Sequence, residues 1–180
     1  VGGLKEALVQ GAGKAVDVLG QKDGFLGNPK VKIPLPGGLE KAEGLLRGLG
    51  MGRYADDLVT AMNRAAEAAV PEARKLLVGS IRSMSVADAN DILTGGDDAA
   101  TQYFRRTTAG PLGDKFKPLV RKAIARTQVA EKYDRFAGQA AKFGLIKEED
   151  ASLENYVTAR TLDGLYLMIA EEEKAIRNDP

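Results

Sequence analysis

Tyr54-Ala55-Asp56-Asp57-Leu58-Val59-Thr60-Ala61-Met62-Asn63-Arg64-Ala65-Ala66-Glu67-Ala68-Ala69 sets apolar groups at 54, 58, 62 and 66. Steps of four stack side chains on one side of an α-helix, whereas a strand would alternate every second residue. The pattern resumes at Leu77 and Ile81 after an interruption at Pro71. A proline there either kinks the helix or takes the first turn of a new one.

The same period extends in both directions. Leu4, Leu8, Ala12, Ala15 and Leu19 predict a first helix that ends near Gly20. Residues 21–38 form an extended loop rich in proline and glycine. Its stretch Pro29 to Pro36 alternates apolar and polar residues, but three prolines limit it to an edge strand over Val31–Leu35 at most. A short helix is predicted from about Leu39 to Leu49. Downstream, Ser85 and Asp88 resemble a capping box, and Gly95-Gly96 suits a left-handed helix end. Asp97 is predicted to cap the next helix, which carries Tyr103 and Phe104 and closes on Arg105-Arg106. Pro111 to Gln128 reads as helical with a bend or break at Pro118, and Ala130 to Lys142 continues the pattern. Ser152 caps a last helix that ends near Arg177. The fold class is therefore all-α: a single compact, bundle-like domain over residues 1–180, with about seven to nine helices and no significant sheet.

Composition narrows the chemistry. The 180 residues contain no cysteine and no histidine. Disulfides, thiolate nucleophiles and Ser-His or Cys-His catalysis are excluded within the chain, along with the usual zinc ligands. Catalysis would fall to Asp, Glu, Lys or Tyr, or to a hard cation held by oxygen ligands. No apolar run reaches the ~18–20 residues that span a bilayer. The N-terminus shows no basic segment followed by an apolar core and a cleavage site, so the chain is read as a mature or trimmed product.

The net charge of +1 conceals a division. Residues 95–147 carry 11 basic against 5 acidic side chains, and residues 148–180 carry 3 against 9. Two segments of opposite sign are expected to pack together. Nucleic acid is disfavoured as a partner because the basic charges spread over several helix faces instead of clustering.

Three polar clusters are candidate binding surfaces. Asp97, Asp98, Tyr103, Arg105 and Arg106 form the first. As structure, the acids suit a helix N-terminus, the arginines its C-terminus and the aromatics a core. As function, an arginine could grip an anion in bidentate fashion. Asn63, Arg64 and Glu67 form the second, on an alanine-rich helix. Glu171, Glu172 and Glu173 form the third, with Glu173 able to reach Arg177 one turn on. The expectation is that all three converge on one partly hydrated cleft, since desolvating them separately is costly. Asp88 through Asp98 fails the calcium-loop spacing, with Ile92 at the fifth position and Leu93 at the sixth. No catalytic residue, metal site or cofactor is assigned.

Several segments together resemble one bacterial family. They are Lys32 to Pro36, Met62 to Glu67, Val70 to Ala73, Leu93 to Thr108 and Ala170 to Arg177. The chain is similar along nearly its whole length to domain of unknown function 4197. The resemblance implies an envelope or periplasmic protein whose precursor carries a secretion signal, in some members of lipoprotein type with a lipid anchor. It brings no activity and no catalytic residues.

These observations favour a non-enzymatic binding or protein-interaction module whose partner is a protein or a small amphipathic ligand. The alternative is a helical carrier holding an apolar or amphipathic molecule near Tyr103, Phe104 and Leu165 to Ile169. A carboxylate- or cation-dependent hydrolase comes third.

Overall fold

The computed structural model describes residues 2–35, 48, 50, 52–125, 142 and 152–178. Helix α1 spans Gly2–Gly20 and α2 Gly52–Ala69. A 3-10 turn, Val70–Glu72, leads into α3, Ala73–Arg82. Then follow α4 (Val86–Thr94), α5 (Ala99–Ile124) and α6 (Leu153–Asn178). Among the described residues there is helix and loop and no strand, so the fold is all-α. The helices expected near 39–49 and 130–142 lie outside the described residues, single positions apart.

The centre of the molecule is the antiparallel pair α5 and α6. Thr101 meets Glu173 at one end, Thr108 meets Tyr166 in the middle, and Arg121 meets Glu154 at the other end. The basic and acidic segments therefore do lie along each other where they are described. Helix α1 runs against α6, with Lys14 reaching Glu172, and against α3, where Arg74 reaches Gly13 and Asp17. Helix α2 covers α5. Phe104, Phe116, Leu112, Leu165, Tyr166, Met62, Leu77 and Ile81 are fully buried between these layers. Their burial is the main driving force for the fold, at about 1.5–3 kcal/mol per large side chain.

Local signals behave as their chemistry dictates. Ser85 accepts from the Asp88 N–H while Asp88 accepts from the Ser85 N–H, a complete capping box. The Asn155 N–H donates to the Ser152 hydroxyl at the start of α6. Pro71 takes the first turn of the 3-10 segment, where a missing N–H costs nothing.

Three expectations are corrected. Helix α5 does not break at Pro118, nor does a helix end at Arg105-Arg106: one helix continues through Pro111 and Pro118. Both prolines lie on its exposed side, so the carbonyls they leave without donors can turn to water. Gly95 is extended at the end of α4, with φ −82° and ψ −176°, and not left-handed. A Cβ there would sit 2.7 Å from the Ala99 Cβ, so the glycine serves a close approach between α4 and α5. Asp97 does not cap α5; the N-cap is Asp98, and its side chain makes no capping bond. Lys32–Leu35 joins no sheet, within the limit of an edge strand at most that its prolines set. Its partner is a side chain: Asn63 accepts from the Ile33 N–H and donates to the Ile33 carbonyl.

That same loop inserts Phe25, fully buried, against α6. Gly164 makes room for it. A Cβ at 164 would lie 2.8 Å from the Phe25 ring and 3.2 Å from the Val31 Cβ. Gly164→Ala is therefore expected to cost about 1–3 kcal/mol through overpacking, although alanine is the better helix former. Urea unfolding measures this; a variant as stable as the parent would show that the contact yields.

Candidate functional site

The buried polar groups are anchors for backbone. Glu67 is 5% exposed and its Oε2 accepts from the Phe25 and Leu26 N–H groups, both at 3.0 Å. Arg64 closes the arrangement, donating to Glu67 at 2.8 Å and pairing with Asp23 at 2.9 Å. The Glu67 bond, with Asp23 adding to it, pushes the guanidinium above its ordinary range. Asn63 is fully buried and holds Ile33. The second cluster is thus the fastening of the 21–35 loop.

Glu173 does the corresponding work at the start of α5. It is 4% exposed and accepts from the Ala100 N–H at 2.8 Å and from the Thr101 N–H at 2.9 Å, with the Thr101 hydroxyl as a third donor. It is the N-terminal cap of α5, supplied from α6. Arg177 pairs with Glu173 at 2.9 Å and donates to the Ile92 carbonyl near the end of α4. One ion pair therefore closes both helix ends beside the Gly95-Gly96 turn. Glu171 pairs with Lys30 at 2.7 Å and Glu172 with Lys14 at 3.7 Å, both nearer the surface.

The arginines of the first cluster lie mid-helix. Arg105 stacks over the Tyr166 ring at 4.7 Å and approaches Asp163 at 3.5 Å. Arg106 lies 6.0 Å from the Tyr103 ring. The Tyr103 hydroxyl donates to the Ser80 carbonyl. Tyr166, bonded to Thr108 at 2.7 Å, has its phenol pushed up by burial, partly offset by that bond. Asp98 is spent on Gln102, and Asp97 is exposed. Glu67 and Glu173 hold separate backbone segments, at Phe25–Leu26 and at Ala100–Thr101, and share no hydrogen-bond partner among the described residues. In the region considered for an apolar ligand Tyr103, Phe104, Leu165, Tyr166 and Ile169 are buried, while Leu167 is 41% exposed.

At the far end of α5, Arg121 grips Glu154 through two bonds of 2.8 Å. These bonds hold the Glu154 carboxyl below its usual value of 4.5. A carboxyl depressed by folding stabilises above its unfolded pKa, and the gain is lost as pH falls through the folded one. The contribution should be small and salt-sensitive, because Arg121 is exposed. Glu154→Gln is expected to destabilise at neutral pH and to match the parent in acid, below the depressed pKa. Parallel stability curves with no such merging would refute this.

Concave surface lies elsewhere. One groove of about 310 Å³ runs between the loop at Lys30–Pro34 and the α6 residues Arg160, Asp163 and Leu167. A larger groove of about 600 Å³ lies along α3. Arg74, Lys75, Arg82 and, from α5, Lys115 line it, with Glu72 as its acid and Pro71, Val78 and Gly79 as its uncharged lining. Sequence reasoning passed over these residues. The signal was present, since 75, 79 and 82 recur at helical spacing on one face.

An all-α domain with buried carboxylate clasps and open, charged grooves is the class that fold and site define. The chain belongs to the family described as protein of unknown function (DUF4197), whose profile matches residues 1–180. No curated protein and no solved structure matches it.

Proposed function

We propose that this protein is a non-enzymatic interaction module of the bacterial envelope that docks an anionic partner surface in the α3–α5 groove. The observation that carries the reading is Gly79. A glycine inside a helix costs about 1 kcal/mol relative to alanine. Packing within the chain gives no reason for it, because a Cβ at 79 would meet nothing within 4 Å. Its bare backbone faces a groove lined by four cations and one acid, with Arg74 also paired to Asp17, and with Lys75, Arg82 and Lys115 completing the positive lining. A glycine there lets a partner approach closely, and the cations select and steer an acidic one. The buried carboxylates support a non-catalytic reading, since their oxygens already serve N–H groups. The envelope address rests on the family resemblance and would be checked by fractionating cells.

Gly79→Ala is expected to stabilise the domain by about 0.5–1 kcal/mol. Gly79→Glu should fold normally and fill the groove with a negative side chain. Native mass spectrometry of protein purified from its own envelope supplies the test. The reading expects a species retained by the parent and lost from Gly79→Glu at equal thermal stability. Equal retention by both would overturn it.

A further inference from the structure

The 21–35 loop lies on α2 and α6 as a bound peptide lies on a receptor. Among the described residues its backbone–backbone bonds outside the helices run between residues 21 and 32 and all stay inside it. Side chains fasten it to the helices. Glu67 accepts from the Phe25 and Leu26 N–H groups, and the Tyr156 hydroxyl donates to the Pro34 carbonyl. Asn63 grips both the N–H and the carbonyl of Ile33. A side-chain amide has a donor and an acceptor, so it can pair with the backbone of a residue of any type. Burial alternates along the same stretch: Val31, Ile33 and Leu35 are buried, while Lys32 and Pro34 are exposed. Main-chain hydrogen bonds combined with seats for alternate side chains are the terms in which extended peptides are recognised.

The loop does not fill its seat. The groove of about 310 Å³ separates Lys30–Pro34 from Arg160, Asp163 and Leu167 of α6, and Leu167 in its wall is 41% exposed. A segment with more apolar bulk on that side would cover Leu167, which this loop leaves in water.

We infer that the α2–α6 face under residues 21–35 is a receptor for an extended peptide of a partner protein, held closed in this structure by the chain's own segment. What the seat holds now defines the ligand. It takes an aromatic side chain beside Gly164, two adjacent N–H groups at Glu67, and aliphatic side chains at alternate positions around the residue gripped by Asn63. The loop is an autoinhibitory plug. It can leave as a unit, because its release breaks no backbone–backbone bond to a helix among the described residues. A free peptide then meets a seat that is open for part of the time, and its apparent affinity falls by that fraction. Asn63, Glu67, Tyr156 and Gly164 are not among the residues lining the α3–α5 groove, so this site is tested without touching Gly79.

The probe is a synthetic peptide copying residues 21–35, with blocked ends and a fluorescent label. Its binding to two full-length chains is read by anisotropy. Phe25→Ala/Ile33→Ala weakens the plug and leaves Asn63, Glu67 and Gly164 in place. This chain should bind the probe saturably, at least about tenfold more tightly than the parent, because its seat is open for more of the time. A probe that itself carries Phe25→Ala and Ile33→Ala should bind at least about tenfold more weakly, since it buries far less apolar surface.

Native-state hydrogen exchange on the parent is the second measurement, and it needs no variant. The Phe25, Leu26 and Ile33 amides should exchange faster than those of Phe104 and Tyr166, as a plug that leaves before the helices unfold requires. Equal rates overturn the proposal, because the seat would then open only on global unfolding. A folded Phe25→Ala/Ile33→Ala chain that does not bind the probe overturns it too. So does one that binds the alanine-bearing probe as tightly as the native copy.

Discussion

Replacing Glu173 by alanine is expected to lower stability by about 3–5 kcal/mol, a fall of roughly 6–20 °C in melting temperature for a domain of this size. The side chain is nearly inaccessible, and four donor groups depend on it: two N–H groups, one hydroxyl and Arg177. Alanine leaves all four without their acceptor, in a place water does not readily reach. Three further variants should fall in a fixed order. Glu173→Gln keeps the shape and one acceptor oxygen but turns an amide donor toward other donors, so it should fall between parent and alanine. Arg177→Ala should cost less than Glu173→Ala, because the carboxylate keeps its backbone partners. The double replacement should cost less than the sum of the singles, because each already removes the shared bond. Additive losses would mean that the pair does not act as one clasp across α4 and α5.

This clasp also explains which features of the fold were legible in the sequence. The Ser85–Asp88 box spans three residues, and so does Ser152 with Asn155; such caps follow local rules and both formed. The Glu173–Arg177 pair spans one helical turn and could be read from spacing alone. The cap on α5 could not. Asp97 and Asp98 are the right residue types in the right place, yet the carboxylate that binds the first N–H groups comes from 73 residues away. Local chemistry can say that a helix end needs an acceptor, but not which distant side chain packing will bring there. The continuity of α5 is a similar case. A proline rule judges the lost hydrogen bond, while the outcome depends on whether the freed carbonyl faces water, which only the packed structure decides.

The polar clusters were legible in composition, and the structure gives three of their members a structural task. Asn63, Glu67 and Glu173 were singled out because buried-looking helices seldom carry such groups without purpose. They have one, but it is to replace missing backbone partners: Ile33 for Asn63, Phe25 and Leu26 for Glu67, Ala100 and Thr101 for Glu173. Hydrogen-bonding demand from non-helical backbone explains them better than a ligand does. The groove along α3 drew less notice because Lys75, Arg82 and Lys115 look like ordinary surface charges. What sets it apart is that these cations gather beside Val78 and Gly79 in one concave surface, which packing decides and no residue type encodes.

Glu67→Ala should produce a loss similar in size to that at Glu173, about 3–5 kcal/mol, but with a local signature. The carboxylate accepts from both the Phe25 and the Leu26 N–H groups in a loop that forms no sheet. Without it, those donors must find water, and the Phe25 ring must leave its seat against Gly164 for them to do so. The 21–35 segment should therefore open before the helices do. Hydrogen exchange at Phe25, Leu26 and Ile33 should speed up by far more than at Phe104 or Tyr166. Proteolysis at Lys22, exposed in the same loop, should rise in step. Arg64→Ala, by contrast, leaves Glu67 with both N–H donors and removes a half-exposed partner, so its effect on exchange should be small. Uniform acceleration across the whole chain in Glu67→Ala would show instead that loop and helices unfold as one unit, and that Glu67 is part of the common core, not a fastening for one segment.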